Sequence, residues 1–346
     1  MFLSGLLYTV RTEVPVIDHF DALEMAGTRF WSLAVTGLPS AGFLNVNEGY
    51  TSTEATLQMA EFNAFRIGGA VEVPESSANL WNDENNRGAQ LPYTFEALQA
   101  ETKMKAFLRT VQQQIFTGTS NDSKGFPGLK ELTPFVSGNT YTATDIPQDA
   151  AWAKSVINAG GSTSSTASSI YAVSYGPTKC CLRFGGPQGM AGFLAMSPWE
   201  RVWKTATDPV DSASKSQWYR VSSGEGYVGL QVSGSNEANA SRKFRQDSVR
   251  RIANVTQDSG KGCTEALLDQ LIASFPPGYA PSAFFMSYRS QKQLQDSKGT
   301  GQTIFVNGNG GMQDPTYTQR APLPTEHRGI PIIVTDAIGN TDAIEA

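Results

Sequence analysis

Residues 94–117, TFEALQAETKMKAFLRTVQQQIFT, constrain the fold more than any other stretch of this chain. Met104, Leu108, Val111 and Ile115 recur at spacings of four, three and four, which keeps them on one face of an α-helix. Ala97 and Ala100 extend that face toward the N-terminus. Pro92 and Thr94 give a start signal, Glu96 and Glu101 lie toward the positive end of the helix dipole, and Gly118 gives the stop. At about 1.5 Å per residue the helix runs roughly 36 Å. So long a helix with one narrow apolar stripe fits a strut laid across a sheet better than the centre of a bundle, although an ordinary amphipathic core helix has the same pattern.

The chain has 346 residues, room for two or more domains or for one elongated subunit of several parts. Charged residues make up only 17%, with Gly, Ser, Thr, Asn and Gln in their place. That balance suits large surfaces buried against neighbours, and β-rich secreted proteins share it. The net charge of −5 is not the basic footprint of a nucleic-acid binder. Three cysteines, Cys180, Cys181 and Cys263, cannot all pair, and adjacent cysteines rarely bridge, so a reducing compartment is expected. The opening MFLSGLLYTVR lacks a basic n-region and a small-residue cleavage site, and it is not read as a signal peptide. No apolar run reaches transmembrane length.

Upstream of the long helix, Ile17 to Trp31 reads as a short helix with Asp18 as cap, after an extended arm in VRTEVPV. Residues 37–73 carry a turn signal, Asn47-Glu48-Gly49-Tyr50-Thr51-Ser52, between strand-like Phe43–Asn47 and Glu54–Ile67. This predicts a long hairpin whose apolar residues are sparse and define no single face. An isolated two-stranded ribbon is marginal in water. One of roughly 30–40 Å, at about 3.3 Å per residue, has to lie on something else; two strands of an ordinary sheet fit the pattern equally.

After the helix comes a Gly-, Ser- and Asn-rich loop to Gly128, then GLKEL. Residues 145–161 read as a short helix closed by Gly160-Gly161, and Ser162–Ser169 as a linker. From Ile170 the texture is β. Ile170–Tyr175, Lys179–Phe184, Gly192–Met196, Tyr227–Val232 and Asp247–Val255 predict an antiparallel meander. Thr264 caps a second helix with a face of Leu267, Leu268, Leu271 and Ile272, stopped by Pro276-Pro277. A buried strand at Ala283–Met286, a short helix at Ser290–Asp296, a loop at Gln302–Thr325 and a last strand at Ile330–Thr335 complete the chain.

The search for chemistry nominates no catalytic centre, cofactor site or metal site. His19 and His327 stand in no metal-ligand spacing, and no Gly-x-Ser-x-Gly elbow is present to pair with either. Cys180-Cys181 lacks the Cys-x-x-Cys spacing of zinc or redox sites and reads as small buried hydrophobes. Ser259-Gly260-Lys261-Gly262-Cys263-Thr264 resembles a phosphate loop only in outline, because the spacer ahead of Gly-Lys-Ser/Thr is missing. Arg242, Lys243, Arg245, Arg250 and Arg251 form a local basic cluster, read as pairing with acidic residues of a neighbour or as a basic stripe.

The order of these pieces resembles the major capsid proteins of tailed bacteriophages with the HK97-type fold. The likeness is carried by Asn45-Val46-Asn47-Glu48-Gly49-Tyr50, similar to the tip of that family's extension loop, and by the long helix with its exit Phe116–Leu132, similar to the spine helix. Ala283–Gly299 and Arg328–Ile338, with Gly329 and Pro331 in its Gly-x-Pro strand, resemble axial-domain elements. Gly229–Val232 with Val249–Asn254, including Arg250 and Arg251, resemble peripheral strands of a short-tailed-phage subgroup.

The resemblance implies an α+β subunit in six parts: an N-terminal arm (1–36), extension loop (37–73), peripheral domain with spine helix (74–125), a connection (126–169), peripheral strands (170–258) and axial domain (259–346). Because the β block precedes residue 259, it also implies a rearranged, non-circularly permuted topology. The implied role is a non-enzymatic, cofactor-free subunit that assembles with itself as pentamers and hexamers of an icosahedral shell. That shell encloses DNA without sequence-specific binding, with portal and with scaffold or cement proteins as partners and no membrane. An encapsulin-like compartment and a β-rich adhesin or enzyme domain are the alternatives. Residues 37–73 contain no lysine, so the loop lysine of the family's isopeptide crosslink has no counterpart. Asn47 to Tyr50, Met104, Leu108, Val111, Ile115, Arg250, Arg251, Gly329 and Pro331 are the residues expected to matter for assembly.

Overall fold

The computed structural model describes residues 14–37, 39–50, 52–84, 94–137, 139–142, 154–186, 195–207, 214–233, 247–276, 278–298 and 322–346. A 3-10 turn at Ile17–His19 leads into β1 (Asp21–Glu24) and β2 (Arg29–Gly37). The helix expected over Ile17–Trp31 does not form. Gly27, at φ 78°, breaks the segment, and its backbone is bridged to Gly186. The aromatic and β-branched run that follows prefers a pleated surface. β3 (Thr56–Asn63) returns along β2, from Arg29 opposite Asn63 to Gly37 opposite Thr56. The predicted hairpin therefore exists with displaced strands: Arg29–Gly37 is its first arm, and Phe43–Asn47 lies in the tip connection.

β4 (Phe65–Pro74) carries the chain from the ribbon into α1 (Glu75–Glu84), and α2 (Phe95–Thr117) follows. The α2 boundaries match the sequence reading. The Thr94 hydroxyl accepts from Ala97 N at 3.3 Å, and Gly118 closes the helix at φ 67°. α3 (Leu129–Leu132), β5 (Thr140–Thr142), β6 (Val156–Asn158), β7 (Ser168–Val173), β8 (Cys181–Gly185), β9 (Ala195–Met196), β10 (Glu200–Thr207), β11 (Ser214–Gln231) and β12 (Val249–Val255) come next. α4 (Glu265–Ala273), β13 (Ala283–Met286), α5 (Tyr288–Lys298), β14 (Glu326–His327) and β15 (Ile330–Val334) complete the described elements. The helix expected over 145–161 is, in its described part, β6, with Val156 and Ile157 buried and both neighbours parallel.

Two large sheets organise these strands. β11 is the axis of the six-stranded one: it takes β4 along one edge, β10, β9 and β8 along the other, and β1 lies parallel to β8. The seven-stranded sheet runs β14-β15-β13-β7-β12-β6-β5. The block at 170–258 is thus not one meander. β8 to β11 join the root of the ribbon, whereas β7 and β12 join the strands at 283–286 and 330–334. β7 explains why: all six of its residues are buried, with Tyr171 and Val173 in one core and Ile170 and Ala172 in the other. A strand buried on both faces belongs inside a sheet covered on both sides.

Helix α2 covers the first core. Val111, Ile115 and Phe116 pack with Leu182, Phe184, Val228, Leu230, Val249 and Phe285, as expected for a strut on the 170–255 strands. The other half of the stripe reaches beyond that block: Met104 and Phe107, with half-buried Leu108, pack on Met196 of β9 and also on Ile67 of β4. Each fully buried aliphatic contributes about 1.5–3 kcal/mol. Gln112 and Gln114 widen the buried face: Gln112 Nε2 donates to Thr335 Oγ1 at 2.9 Å, and Gln114 Nε2 donates to Phe126 O at 2.7 Å. α4 and α5 cover the second core through Leu267, Leu268, Leu271 and Leu294.

Candidate assembly interface

The β2–β3 ribbon begins at an anchored root. Phe30 and Phe62 stack across the strands at 6.4 Å, and the Arg183 guanidinium lies 4.0 Å above Phe30. Past the root the register sets Trp31 opposite Glu61 and Leu33 opposite Met59, with Leu57 next on the same face. Trp31, Leu33, Leu57 and Met59 are all exposed. The apolar residues do define one face once the strands are placed correctly. Displaced strand limits had hidden it, because a shift in pairing moves residues between faces.

The tip presents more apolar surface. Asn45 N donates to Glu48 Oε2 at 2.9 Å and Glu48 N to Asn45 O at 3.0 Å, closing a small turn. Ser40 N donates to Thr53 Oγ1 at 2.9 Å and ties the neck. Phe43, Val46 and Tyr50 are then 109%, 102% and 93% exposed, so nothing among the described residues covers them. Asn47, Glu48, Gly49 and Tyr50 all lie on this exposed tip. Exposed apolar residues on the ribbon and at its tip are of the kind that proteins use to meet other molecules.

Beyond the ribbon, β4 lies against β11 with Gly69 opposite Gly224 and Gly68 opposite Glu225. Gly69 admits the close approach of α2: a Cβ there would meet Lys103 Cε at 2.9 Å and Phe107 at 3.3 Å. On the other face Arg66, Gly68, Ser223 and Glu225 frame a shallow cleft of about 440 Å³, with Arg66 Nε donating to Glu225 Oε2 at 3.0 Å.

Sequence reasoning missed a second ribbon, β10 with the first half of β11. Trp203 opposes Trp218, edge to face at 5.1 Å, and both are exposed. Arg201 stacks on Trp218 at 4.2 Å and pairs with Glu75 at 2.7 Å. Its signal was the alternation in RVWKTAT and SKSQWYRV, which sets Trp203 and Trp218 on one face and Val202 and Tyr219 on the other.

The remaining nominated residues are internal. Arg250 and Arg251 do not form an outward basic stripe; both are fully buried. Arg250 Nε donates to Ser274 O at 3.0 Å, and Arg251 pairs with Glu345 of its own chain. Burial of an arginine requires a partner close by, and here the chain's own backbone and its last residues supply it. Arg242, Lys243 and Arg245 lie outside the described residues. Arg328 and Gly329, at φ 51° and 77°, form the two-residue turn between β14 and β15, which sets His327 opposite Ile330 and Glu326 opposite Pro331. His327 is buried beside Asp269 Oδ1 at 2.8 Å, and His19 is exposed. Cys180, Cys181 and Cys263 are free and buried. Among the described residues, no group of three His, Cys, Asp or Glu is placed to hold a metal ion.

No protein-family model matches the chain, and no curated protein matches it. Solved structures do. The near-atomic structure of bacteriophage Epsilon15 matches with a TM-score of 0.50 and 15% identity, covering 93% of this chain and 87% of that one. The procapsid of bacteriophage JBD30 is similar over 97% of this chain and 98% of that one, with a TM-score of 0.36 and 9% identity. The capsid of the native GTA particle is similar over 70% and 89%, with a TM-score of 0.37 and 8% identity. The Epsilon15 likeness shows the fold, an α+β architecture shared with a bacteriophage structure through nearly the whole chain.

Proposed function

We propose that this chain is the major capsid protein of a tailed bacteriophage, which assembles with copies of itself into an icosahedral shell around double-stranded DNA. The observation that carries this reading is the exposed apolar ribbon and tip of a chain that shares the fold of a bacteriophage structure over 93% of its length. A standard protein interface buries roughly 1,600 Å², and closure of a shell multiplies many modest interfaces through avidity.

In this reading the ribbon is the extension loop and lies across a neighbouring subunit, which buries Phe43, Val46 and Tyr50. The sheet centred on β11, with α2 as spine helix, is the peripheral part and meets its copies at local three-fold axes. The seven-stranded sheet with α4 and α5 is the axial part, around five-fold and six-fold centres. The subunit's role is structural rather than catalytic. A portal and scaffold or cement proteins complete the particle, which assembles in the host cytoplasm. The net charge of −5 suits a container wall, since weak repulsion keeps packaged DNA off it.

Negative-stain microscopy and light scattering of the purified protein test the reading. Closed shells, with nuclease-resistant double-stranded DNA in particles from the source, are expected. A monomer at every concentration with no shells would overturn it. Shells that hold protein cargo in place of DNA would turn it toward an enzyme compartment.

A further inference from the structure

Residues 336–346 follow β15 and lie across the ends of several elements. Ala337 and Ile338 are buried, but from Gly339 onward no side chain is. The groups these last residues touch are, by contrast, deep. Arg251 is fully buried, Asn254 is 3% exposed and Ala167 2%. The segment is therefore laid over buried polar groups and held by polar contacts rather than by a core of its own.

Those contacts are specific. Arg251 Nη1 donates to Glu345 Oε1 at 3.1 Å, and Nη2 donates to Oε2, a two-pronged pair. Asn254, held in the left-handed region at φ 57°, reads the backbone of the same residue from both sides: Glu345 N donates to its Oδ1 at 2.9 Å, and its Nδ2 donates to Glu345 O at 2.8 Å. Lys130 Nζ lies 2.9 Å from Asp342 Oδ2 and 3.5 Å from Glu345 Oε1. Asp342 exchanges two backbone hydrogen bonds with Ala167, at 3.0 and 3.2 Å, as an added strand does. Two cations, an amide that clamps the backbone of one residue and the Ala167 edge face two carboxylates on an extended chain.

We infer that Lys130, Arg251, Asn254 and the Ala167 edge form a docking notch for an extended acidic segment, occupied by residues 339–346 as a detachable strap with the Arg251–Glu345 pair as its catch. Lifting the strap uncovers Arg251 to water, so the guanidinium is not stranded and the sheet beneath stays folded. The strap joins β7, β12, α3 and, where Arg289 Nη1 donates to Asn340 O at 3.0 Å, α5, with the Arg251–Glu345 pair as its charge-sensitive catch. These contacts lie within one subunit, and the notch is independent of the shell reading.

Amide hydrogen exchange on the full chain carrying Glu345→Gln tests this, with Ile344→Ala as a neutral control. The amides of Asp342 and Glu345 are expected to exchange roughly 10- to 100-fold faster in E345Q, the loss of a charge-assisted hydrogen bond, while those of β7, β12 and β13 keep their rates. A fluorescent peptide of the sequence TDAIEA is expected to bind E345Q and not the unsubstituted chain, and to lose binding in high salt. Equal acceleration through β7 and β12 would show that the strap is part of the core and overturn the inference. So would an unchanged strap, or a peptide that binds both proteins equally or neither.

Discussion

Gly118 and Gly128 lie back to back at the exit of α2: a Cβ built on Gly118 would fall 2.3 Å from Gly128 N, and one built on Gly128 would fall 2.4 Å from Gly118 N. Neither position tolerates a side chain without moving backbone. Gly118 also sits at φ 67°, whereas Gly128 has an ordinary φ of −89°. Gly128→Ala is therefore a purely steric test. It is expected to lower stability by about 1–3 kcal/mol, the usual cost of overpacking, and Gly118→Ala by more, because backbone strain is added. Urea denaturation monitored by circular dichroism measures both.

The same exit shows what was legible in the chain. Thr94, Gly118 and the stripe between them fixed α2 to within a residue, because caps and a 3.6-residue period are local signals. The capped helix at Thr264 and the strand at Ala283–Met286 were legible for the same reason. The ribbon was half legible. Its turn residues were found, but strand limits depend on which residues pair, and Arg29–Gly37 finds its partner at Thr56–Asn63, beyond the whole tip. Sheet membership was not legible at all. β7, β8, β11 and β12 look alike in sequence, and only the burial of β7 and β12 between two cores separates them. Arg251 was misread because its counter-ion lies 94 residues on, at Glu345.

Within α2 the cost of truncation should follow depth rather than residue type. Ile115 is fully buried in the first core, and Leu108 is only half-buried beside Met104 and Phe107. Ile115→Ala is expected to cost about 2–5 kcal/mol and Leu108→Ala about 1–2 kcal/mol, since part of the Leu108 surface stays in water. If the two cost the same, the stripe packs more evenly than the structure places it. Chemical denaturation of the two single variants decides this.

The three thiols should be nearly inert in the native protein. Burial pushes Cys181 up to about 11 and Cys263 up to about 12, and it raises Cys180 as well. The thiolate is the reactive form. At pH 8 only about one Cys181 in a thousand would carry it, from a pKa three units above the pH. Iodoacetamide at pH 8 is expected to label the native chain at least about 100-fold more slowly than the urea-unfolded chain. Rapid native labelling, read by mass spectrometry, would place these cysteines elsewhere than in the core.

Asp269 gives the acid limb of stability a specific contributor. The Arg328 guanidinium, bonded to both carboxylate oxygens, holds its pKa below the usual value; burial opposes this, and His327 assists. A carboxyl lowered on folding adds stability above its unfolded pKa of about 3.9 and loses it as pH falls through the lower folded value. Asp269→Asn should therefore flatten the fall in stability below about pH 4. The pair is part-exposed, with Asp269 at 36%, so the difference at pH 7 is expected to be about 1 kcal/mol or less. Denaturant midpoints from pH 2 to pH 7 for both proteins give the comparison.

The ribbon tip separates folding from assembly within one experiment. Phe43, Val46 and Tyr50 are almost wholly exposed, so replacing all three by serine removes no packing among the described residues. The melting temperature of the isolated subunit should stay within about 1 °C, as for surface substitutions away from structural features. If the tip is covered by a neighbour in the shell, the same change removes three large apolar side chains from every subunit contact. Each such side chain contributes about 1.5–3 kcal/mol when buried, and the repeated loss should abolish shells at concentrations where the unsubstituted chain assembles. Analytical ultracentrifugation of the two proteins reads the outcome. Normal shells from the triple variant would show that the tip is not the surface that holds subunits together. A large fall in melting temperature would instead show that it packs within the subunit.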